Sequence, residues 1–447
     1  MRPSLLACLF LCSACGSDDF EVEATVDPDV PSIVRLTWST DQPGRSWVEF
    51  ASPGEDVQRT PAGPDGLTEH EVVLLGLPFL AEAEWRAVTE VDGRALEASG
   101  TVETGGMPAT FPDVRQTAWE VHETAPERFF AGTFLASSGL FVFDREAGYR
   151  WFHTFDGHQL PEFEISHQGT LLFNSFLTDH TVDSGELHEI SWDGEIDDER
   201  PLVMGHHSFF EMPSGDIAYV AADVRDWYDP TLEETISVVG DQIRILPADG
   251  GESWAFFSTW DWSEPKRHDR WNSGFYGELG GDWTHANSVR YHESTDTFLL
   301  SLRNLDTILE IDGTTAEVLR AFGHLGYGFG PGSTPFSFQH DPRWTVDGTL
   351  LLLTTDERQR MSMAVEYEVD DTEQLLREVW RYQDADGVYA QHQGGVRVLS
   401  NGNRIVNFGS AGVLQEVTRD GDVVWEIRGG TGAGFGATES FSSFYTP

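Results

Sequence analysis

A strand unit that recurs about six times over residues 107–447 constrains this chain more than any other feature. Each unit has a leading apolar strand, a loop, a second strand that ends near an acidic residue or a turn, and a closing strand that ends in an aromatic residue. The leading strands are GTFLAS at Gly132, GTLLFN at Gly169, GDIAYV at Gly215, DTFLLS at Asp296, GTLLLL at Gly348 and GNRIVN at Gly402. Regular repeats made only of strands indicate a propeller or a β-solenoid.

The length of the repeat favours the propeller. Six units of roughly 57 residues fall within the four-to-eight-blade range of propellers. One spacing, from Gly215 to Asp296, is too long, and we assign the excess to an inserted loop around SEPKRHDRWNSGFYGELGG at residues 263–281. The sequence therefore predicts an all-β protein in which residues 106–447 form a six-bladed β-propeller.

Residues 20–105 show a different pattern. Short runs such as IVRLTWST and HEVVLLGL alternate apolar and polar residues and are separated by Gly, Pro and Asp turns. This spacing is typical of a small β-sandwich. Trp38 and Trp85 resemble the tryptophans of a fibronectin type III module, and we interpret both as core residues. The GGMP sequence at residues 105–108 indicates a linker to the repeats.

The N-terminus has the pattern of an exported lipoprotein. Arg2 precedes a short apolar stretch that is too short to cross a bilayer as a helix, which is typical of a secretory signal. CSACG at residues 12–16 resembles a bacterial lipobox, although Cys12 stands where that motif usually has Leu. We expect a signal peptide over residues 1–14 and a tether over 15–19, with Cys15 acylated. This predicts a cell-envelope protein held by a lipid anchor, on the outer membrane or the periplasmic side.

Charge and cysteine content exclude several classes of function. Acidic residues outnumber basic ones 75 to 28, for a net charge of −47, which argues against a nucleic-acid partner. All three cysteines lie in the first nineteen residues, so the mature chain is not expected to use a disulfide framework, a catalytic thiol or Cys-ligated zinc. No HExxH or EF-hand spacing is present, and we expect neither a metal nor another cofactor. The sequence leaves the oligomeric state open.

A histidine precedes five of the leading strands by eight to eleven residues. Because equivalent positions of propeller blades lie at one height around the axis, these side chains should face a common funnel. The five are His158, His207, His285, His340 and His392.

Three segments carry further polar residues. In GDWTHANSVR, His285 and Asn287 are two residues apart and should share one face of an extended chain. Arg303 stands in the apolar run FLLSLRNLDTIL, so its guanidinium requires either a carboxylate such as Asp306 or an anionic ligand. In FSFQHDPRW, His340 is followed by an aspartate. A structural ion pair for Arg303 and a hydrogen-bonded core histidine at position 340 are the non-functional alternatives.

The segments GHHSFFEMPSGD, DWTHANSVRYHESTDTFLLSLRNLDTILEID and FQHDPRWTVDGTLLLL resemble the bacterial arylsulfotransferases, over roughly residues 130–447. That resemblance implies a six-bladed propeller that moves a sulfuryl group from an aryl sulfate donor to a phenolic acceptor without a nucleotide sulfate. It implies that His340 is the nucleophile, which becomes transiently sulfated. His285, Asn287 and Arg303 match the groups that hold the sulfuryl oxygens.

The resemblance also assigns the remaining polar positions. Of the HH pair, His207 is favoured over His206 as a further active-site histidine. His207 or His285 would serve as the general acid, while His206 and His392 are expected to bind substrate. The C-terminal SFYTP is expected to help close the ring.

The sequence departs from the family pattern in one blade. Asp356-Glu357-Arg358 and Ser362-Met363 stand where the family often has Asp-Asn-Gly and Ser-Arg, which puts the acceptor specificity in doubt.

Two alternatives to a sulfotransferase remain open. One is a propeller that binds a ligand or partner at the cell envelope without turnover, since a fold does not determine function. The other is a hydrolase with a His-bound divalent ion.

Overall fold

The computed structural model describes residues 19–135, 139–155, 159–176, 185–271, 275–430 and 433–445. Within these residues the protein is all-β, as the sequence predicts. The helical elements in them are α1, Thr259–Trp262, and three 3-10 turns, Gly277–Leu279, Arg303–Leu305 and Gly409–Ala411. No helix in this part of the chain is long and apolar enough to cross a membrane. Cys15 and His158 lie outside the described residues.

The N-terminal strands form two layers around one core. They are β1 Val22–Val26, β2 Val34–Ala51, β3 Gln58–Arg59, β4 Leu67–Leu74, β5 Glu82–Val91 and β6 Arg94–Glu103. The first half of β2 pairs with β1 and β4, and its second half pairs with β3 and β5. The register shifts between Ser39 and Gly44. A Cβ at position 44 would lie 2.6 Å from the Glu90 carbonyl oxygen, so this position requires glycine. Trp38 and Trp85 are both buried in the core between the layers, as expected.

Six further sheets, most of them with strands in sequence order, follow in the described residues. Their first strands are β7 Val114–Trp119, β8 Phe129–Phe134, β9 Gly139–Asp144, β10 Tyr149–Thr154, β11 Phe163–Ile165, β12 Leu171–Ser175, β13 Glu186–Ile190, β14 Asp197–Pro201, β15 Gly205–Glu211, β16 Ile217–Asp229, β17 Glu234–Leu246, β18 Trp254–Ser258 and β19 Gly281–Asp282. The remaining strands are β20 Ala286–His292, β21 Thr297–Leu302, β22 Thr307–Asp312, β23 Val318–Gly323, β24 Gly328–Phe329, β25 His340–Trp344, β26 Leu350–Asp356, β27 Met361–Asp370, β28 Leu375–Tyr382, β29 Gly395–Val398, β30 Arg404–Asn407, β31 Val413–Val417, β32 Val423–Gly429 and β33 Phe435–Phe441.

The repeated glycine of the leading strands has a local cause. Gly169, Gly215, Gly348 and Gly402 close the turns before β12, β16, β26 and β30, with φ between 76° and 85°. That left-handed conformation is unstrained only for glycine, and Asp is one of the side chains that tolerate it. Asp296 occupies the equivalent turn with φ of 50°. The leading strands are buried on both faces because sheets pack against both sides of them.

The two ends of the repeat region are exchanged between sheets. The C-terminal strand β33 pairs with β8 of the first sheet, and β7 pairs with β32 of the last sheet. Gly132 is different from the other repeat glycines, because it lies inside β8, where a Cβ would sit 2.4 Å from the Ala437 carbonyl oxygen. Strand pairing therefore joins the beginning and the end of this region directly.

One strand of each sheet contacts the corresponding strands of its neighbours. These inner strands are β33, β11, β15, β20, β25 and β29, and they touch in that order. The order closes on itself, because Arg397 of β29 pairs with Glu439 of β33 at 2.6 Å. Of the C-terminal SFYTP, Phe444 packs against Phe129 and Trp192, and Tyr445 accepts a hydrogen bond from the Leu75 amide of the N-terminal strands. The described part of the repeat region is thus propeller-like.

The long spacing from Gly215 to Asp296 has two sources, and the loop expected from the sequence is only one of them. Strands β16 and β17 are 13 residues each and form an extended hairpin. The segment at 263–281 is inserted between β18 and β20, as expected, and β19 at its end pairs in parallel with β17.

Candidate active site

The inner strands begin with an unusual backbone conformation. His207, His285, Asp341 and Gln393 have φ of 53°, 49°, 50° and 60°. Ladder registers shift beside the first three, between β15 and β16, β20 and β21, and β25 and β26. Left-handed conformations cost non-glycine residues about 1–2 kcal/mol each and concentrate at functional sites. Four inner strands are therefore strained at the height where the predicted histidines lie.

His285 is held by a carboxylate that the sequence analysis did not identify. Its Nδ1 atom lies 2.6 Å from Asp282 Oδ2, and both side chains are buried. The ring centroid lies 4.9 Å from that of His207 and 4.8 Å from that of Phe275. A carboxylate on one nitrogen fixes the tautomer and orients the ring. His285 and His207 therefore form a pair beside an aromatic wall from the insertion.

His206 lies behind His207 rather than toward the open site. It is 2% exposed, and its Nδ1 atom lies 2.9 Å from His207 Nδ1. Its Nε2 atom lies 3.1 Å from Asp241 Oδ1 and 2.9 Å from the Tyr276 hydroxyl. Both ring nitrogens are thus occupied by protein groups. The expectation that His206 binds substrate is replaced by a role in positioning His207.

His340 is a neutral imidazole. Burial, together with the nearby positive charges of Arg290 and Arg303, lowers its pKa to about 4, against the opposing effects of Asp341 and the Gly394 carbonyl. Its Nδ1 atom is buried and has no hydrogen-bond partner among the described residues. The side chain lines a small cavity. An imidazole in this state offers a lone pair at neutral pH, as a nucleophile requires.

Asn287 fixes the strand that carries His340. Its Nδ2 atom donates to the Gln339 carbonyl at 2.8 Å, and the residue is 2% exposed. Because the backbone is irregular between His285 and Asn287, the two do not follow the alternation expected of an extended chain. His285 contacts its own insertion and His207, whereas Asn287 contacts the start of β25. The structure thus places Asn287 as a support of the segment that carries His340.

Arg303 lies in a 3-10 turn after β21, and not inside a strand as the sequence suggested. Its backbone amide donates to the His285 carbonyl at 3.1 Å. Its guanidinium donates to Asn304 Oδ1 at 3.3 Å and lies 4.5 Å from the Phe338 ring centroid. It forms no ion pair with a carboxylate of the described chain. Of the two expected partners, Asp306 is already paired with Arg270.

The charge of Arg303 also acts on His392. Burial lowers its pKa, and the positive charge of Arg303 lowers it further, while Glu357 opposes both effects. Glu357 accepts a hydrogen bond from the Tyr389 hydroxyl at 2.9 Å. Glu357 is the residue at which the sequence departs from the family pattern, so this departure lies next to the site.

Buried ion pairs connect the inner strands below His340. Arg290 of β20 donates to Glu162 and to Asp341, each at 2.7 Å. Asp341 also accepts from Arg343 Nε at 3.0 Å. Since both carboxylate oxygens of Asp341 face arginines, Asp341 does not orient the His340 ring. Arg290 and Arg343 are thus both paired with Asp341, the residue that follows His340.

The structure brings the described candidates together. His207, His285 and Arg303 are linked by direct contacts, and the charge of Arg303 reaches both His340 and His392. Sequence reasoning missed four supporting residues, Asp241, Asp282, Arg290 and Tyr276. A charge inside an apolar run, as in SVVGDQIRIL, and the three-residue spacing from Asp282 to His285 were the available signals. Among the described residues, no group of three or more His, Cys, Asp or Glu side chains is placed to hold a metal ion.

Solved structures that resemble this chain have low sequence identity. A protein of unknown function from Bacteroides caccae is 13% identical, covering 71% of this chain and 100% of its own, with a TM-score of 0.47. A streptogramin B lyase is 12% identical, covering 73% and 97%, with a TM-score of 0.39. A virginiamycin B lyase from Staphylococcus aureus is 10% identical, covering 73% and 87%, with a TM-score of 0.37. No curated protein matches the sequence.

The fold and the site define a propeller-like protein with a neutral histidine beside an unneutralised arginine. Two family models described as arylsulfotransferase (ASST) match residues 120–324 and 276–430. Together these matches span most of the chain and all the residues of the site from His206 to His392. The chain belongs to the arylsulfotransferase family, and the protein is a sulfotransferase enzyme.

Diethyl pyrocarbonate acylates only neutral imidazole, so its rate measures the protonation state of His340. At pH 5 roughly 3% of a histidine with the usual pKa of about 6.5 is neutral, against roughly 90% of one with a pKa of about 4. We expect labelling of His340 to slow less than about 2-fold from pH 7 to pH 5, measured by mass spectrometry. N-acetylhistidine in the same tube should slow roughly 25-fold. Equal slowing of both would show that His340 is not held neutral.

Proposed function

We propose that the protein moves a sulfuryl group from an aryl sulfate to a phenol through a covalent intermediate on His340. The observation that carries this proposal is the juxtaposition of a neutral His340 with Arg303, a cation that pairs with no carboxylate of the described residues. The first is a nucleophile and the second is a site for an anion. The family match supports aryl sulfotransferase activity in general.

In the first half-reaction, a lone pair of the His340 imidazole attacks the sulfur of the donor. The N–S bond forms as the bond between sulfur and the aryl oxygen breaks, and the electron pair of that bond leaves with the aryl oxide. Charge in the transition state develops on the three sulfuryl oxygens and on the departing oxygen. Arg303 is placed to stabilise the sulfuryl oxygens. No nucleotide sulfate takes part.

The departing oxide requires a proton, which His285 or His207 would supply. Asp282 orients the His285 ring through the 2.6 Å contact with Nδ1, so that Nε2 is the ring nitrogen that would face the substrate. In the second half-reaction the acceptor phenol returns its proton to the same histidine, and its oxygen attacks sulfur. The O–S bond forms, the N–S bond breaks, and His340 is regenerated as a neutral imidazole.

The proposal includes a domain assignment. The closed contact order of the six inner strands and the strand exchange between β33 and β8 support a six-bladed propeller over residues 106–447. The shared core of the two N-terminal layers supports a fibronectin type III-like β-sandwich over residues 20–105.

Export and anchoring rest on the N-terminal sequence alone. We place the signal peptide at residues 1–14 and the acylated cysteine at Cys15, in a cell-envelope protein on the outer membrane or the periplasmic side. Labelled palmitate supplied to expressing bacteria should be incorporated into the wild-type protein and not into Cys15→Ser. Equal labelling of the two, or none of either, would contradict the anchor.

Replacing the nucleophile should abolish transfer. With a nitrophenyl sulfate donor, wild-type protein should release nitrophenol at a rate that depends on added phenol, and an acid-labile sulfate adduct should map to His340. His340→Asn should lose activity by at least about 1,000-fold, because no lone pair is available for attack. Its thermal stability should stay within about 1 kcal/mol of wild type.

The same assay separates the alternatives. Release that ignores phenol would indicate a sulfatase, and release that requires a divalent ion would indicate a metallohydrolase. A folded wild-type protein that releases nothing would favour a binding propeller. Asp347→Asn, in an exposed turn, is the control for handling and stability.

The leaving group should reveal the general acid. Asp282→Asn keeps the shape of the side chain but removes the carboxylate that bonds to His285 Nδ1 and orients the ring. We expect transfer from phenyl sulfate, a poor leaving group that needs a proton, to fall by about 100-fold or more. Transfer from a nitrophenyl sulfate should fall less than about 10-fold, because its oxide leaves without full protonation. Equal losses for both donors would contradict acid catalysis by the Asp282–His285 pair.

A further inference from the structure

The insertion between β18 and β20 places an arginine, Arg270, beside Arg303. Arg267 pairs with Asp229 at the end of the long hairpin, and His268 Nε2 lies 2.9 Å from the Trp283 carbonyl oxygen. The amide of Arg270 donates to His268 Nδ1 at 3.2 Å. These contacts hold the insertion against the sheet and fix where Arg270 enters the site. From the sequence alone this segment is expected to be only a loop.

Arg270 makes several contacts around Arg303 and Phe338. Its guanidinium donates to both oxygens of Asp306, at 2.6 and 2.9 Å. Its Nη1 atom also donates to the Arg303 carbonyl at 3.1 Å. Its Cζ atom lies 3.8 Å from the Phe338 ring centroid, the same ring that Arg303 approaches. A bidentate pair of this kind has a fixed geometry that a lysine cannot reproduce.

Asp306 is one of three carboxylates whose charge reaches Arg303, together with Asp282 and Glu357, and it is the one in the same turn. Arg303 begins the 3-10 turn and Asp306 caps it three residues later. In such a turn residues i and i+3 lie one above the other, so an Arg and an Asp in these positions can pair. They do not pair here, because both oxygens of Asp306 are bonded to Arg270. Asp306 also accepts the Phe338 amide at 2.9 Å.

We propose that Arg270 is a positioning residue that occupies Asp306 and thereby keeps the Arg303 guanidinium available for the anionic sulfuryl group of the donor. This inference rests on the proposed function, since it assumes that Arg303 holds the sulfuryl oxygens. Without Arg270, the Asp306 carboxylate would turn to Arg303 and compete with the substrate. The insertion thus sets the affinity of the site for anions.

The Arg270–Asp306 pair also holds the residues that precede His340. Phe338 has φ of 46°, a strained conformation, and it stands two residues before His340. Its amide is held by Asp306, whose orientation Arg270 fixes. One ion pair therefore connects the insertion, the turn that carries Arg303 and the approach to His340.

The test measures binding of 4-toluenesulfonate, an aryl sulfonate that cannot transfer its group, by titration calorimetry. We expect Arg270→Gln to weaken binding by about 10-fold or more, the scale of a lost charge-assisted contact. The double variant Arg270→Gln with Asp306→Asn should bind more tightly than Arg270→Gln alone. Asn keeps an oxygen for the Phe338 amide but cannot neutralise Arg303. A purely structural role for Arg270 predicts no such recovery.

Arg267→Gln is the matched control, because it loosens the same insertion without freeing Asp306. It should change the Kd of the sulfonate less than about 3-fold. The inference is overturned if Arg270→Gln binds like wild type, if the double variant is no better than Arg270→Gln, or if Arg267→Gln loses as much. A wild-type protein that neither binds the sulfonate nor transfers sulfuryl groups would instead contradict the proposed function. Near-ultraviolet circular dichroism confirms that each variant is folded.

Discussion

Strand exchange between the first and last sheets is the constraint on which the rest of the structure depends. Strand β33 completes the sheet of β8, while β7 extends the sheet of β32, so the two ends of the repeat region cannot separate without breaking ladders. Closure forces six inner strands to contact one another in order. As a result, His207 and His340, which are 133 residues apart in sequence (340 − 207), belong to the same polar centre. A site of this kind cannot form from one blade, because each blade contributes only one or two of its side chains.

Closure also determines the electrostatics of the site. Arg290 of β20 pairs with Glu162, the residue before β11, and with Asp341 of β25. Removing such charges from water is costly unless every one has a partner, so the positions of these strands depend on one another. Burial is the main cause of the lowered pKa of His340, and the charges of Arg290 and Arg303 add to it. Arg303 pairs with no carboxylate of the described residues, so it is the cation that can receive an anionic aryl sulfate in a chain with a net charge of −47.

The fold was more predictable from the sequence than the site was. Turn glycines at equivalent places, such as Gly348 and Gly402, are required by the backbone and therefore recur visibly. Four of the five histidines stand in or just before the inner strands of consecutive sheets, namely His207, His285, His340 and His392. Arg303 was identified correctly as a residue in need of a partner. Its placement in a strand was wrong, because a short 3-10 turn leaves no periodic signal in an apolar run.

The partners of the site residues were beyond sequence reasoning. Asp241 contacts His206 from another strand, and Arg270 pairs with Asp306 from an insertion. No fixed spacing along the chain relates either residue to its partner. Asn287 was expected to face the substrate, and a local bulge directs it to the Gln339 carbonyl instead. Such bulges depend on strand pairing and cannot be read from a pattern that assumes regular alternation.

The most direct measurement is a crystal structure of the protein with a bound aryl sulfonate. The account predicts six blades closed by the C-terminal strand, with the sulfonate oxygens within hydrogen-bond distance of Arg303. The sulfur should lie about 3–3.5 Å from a nitrogen of His340, the distance of a group ready to react. A sulfonate bound on an outer surface of the sheets, or a His340 ring turned away from an occupied Arg303, would contradict the account.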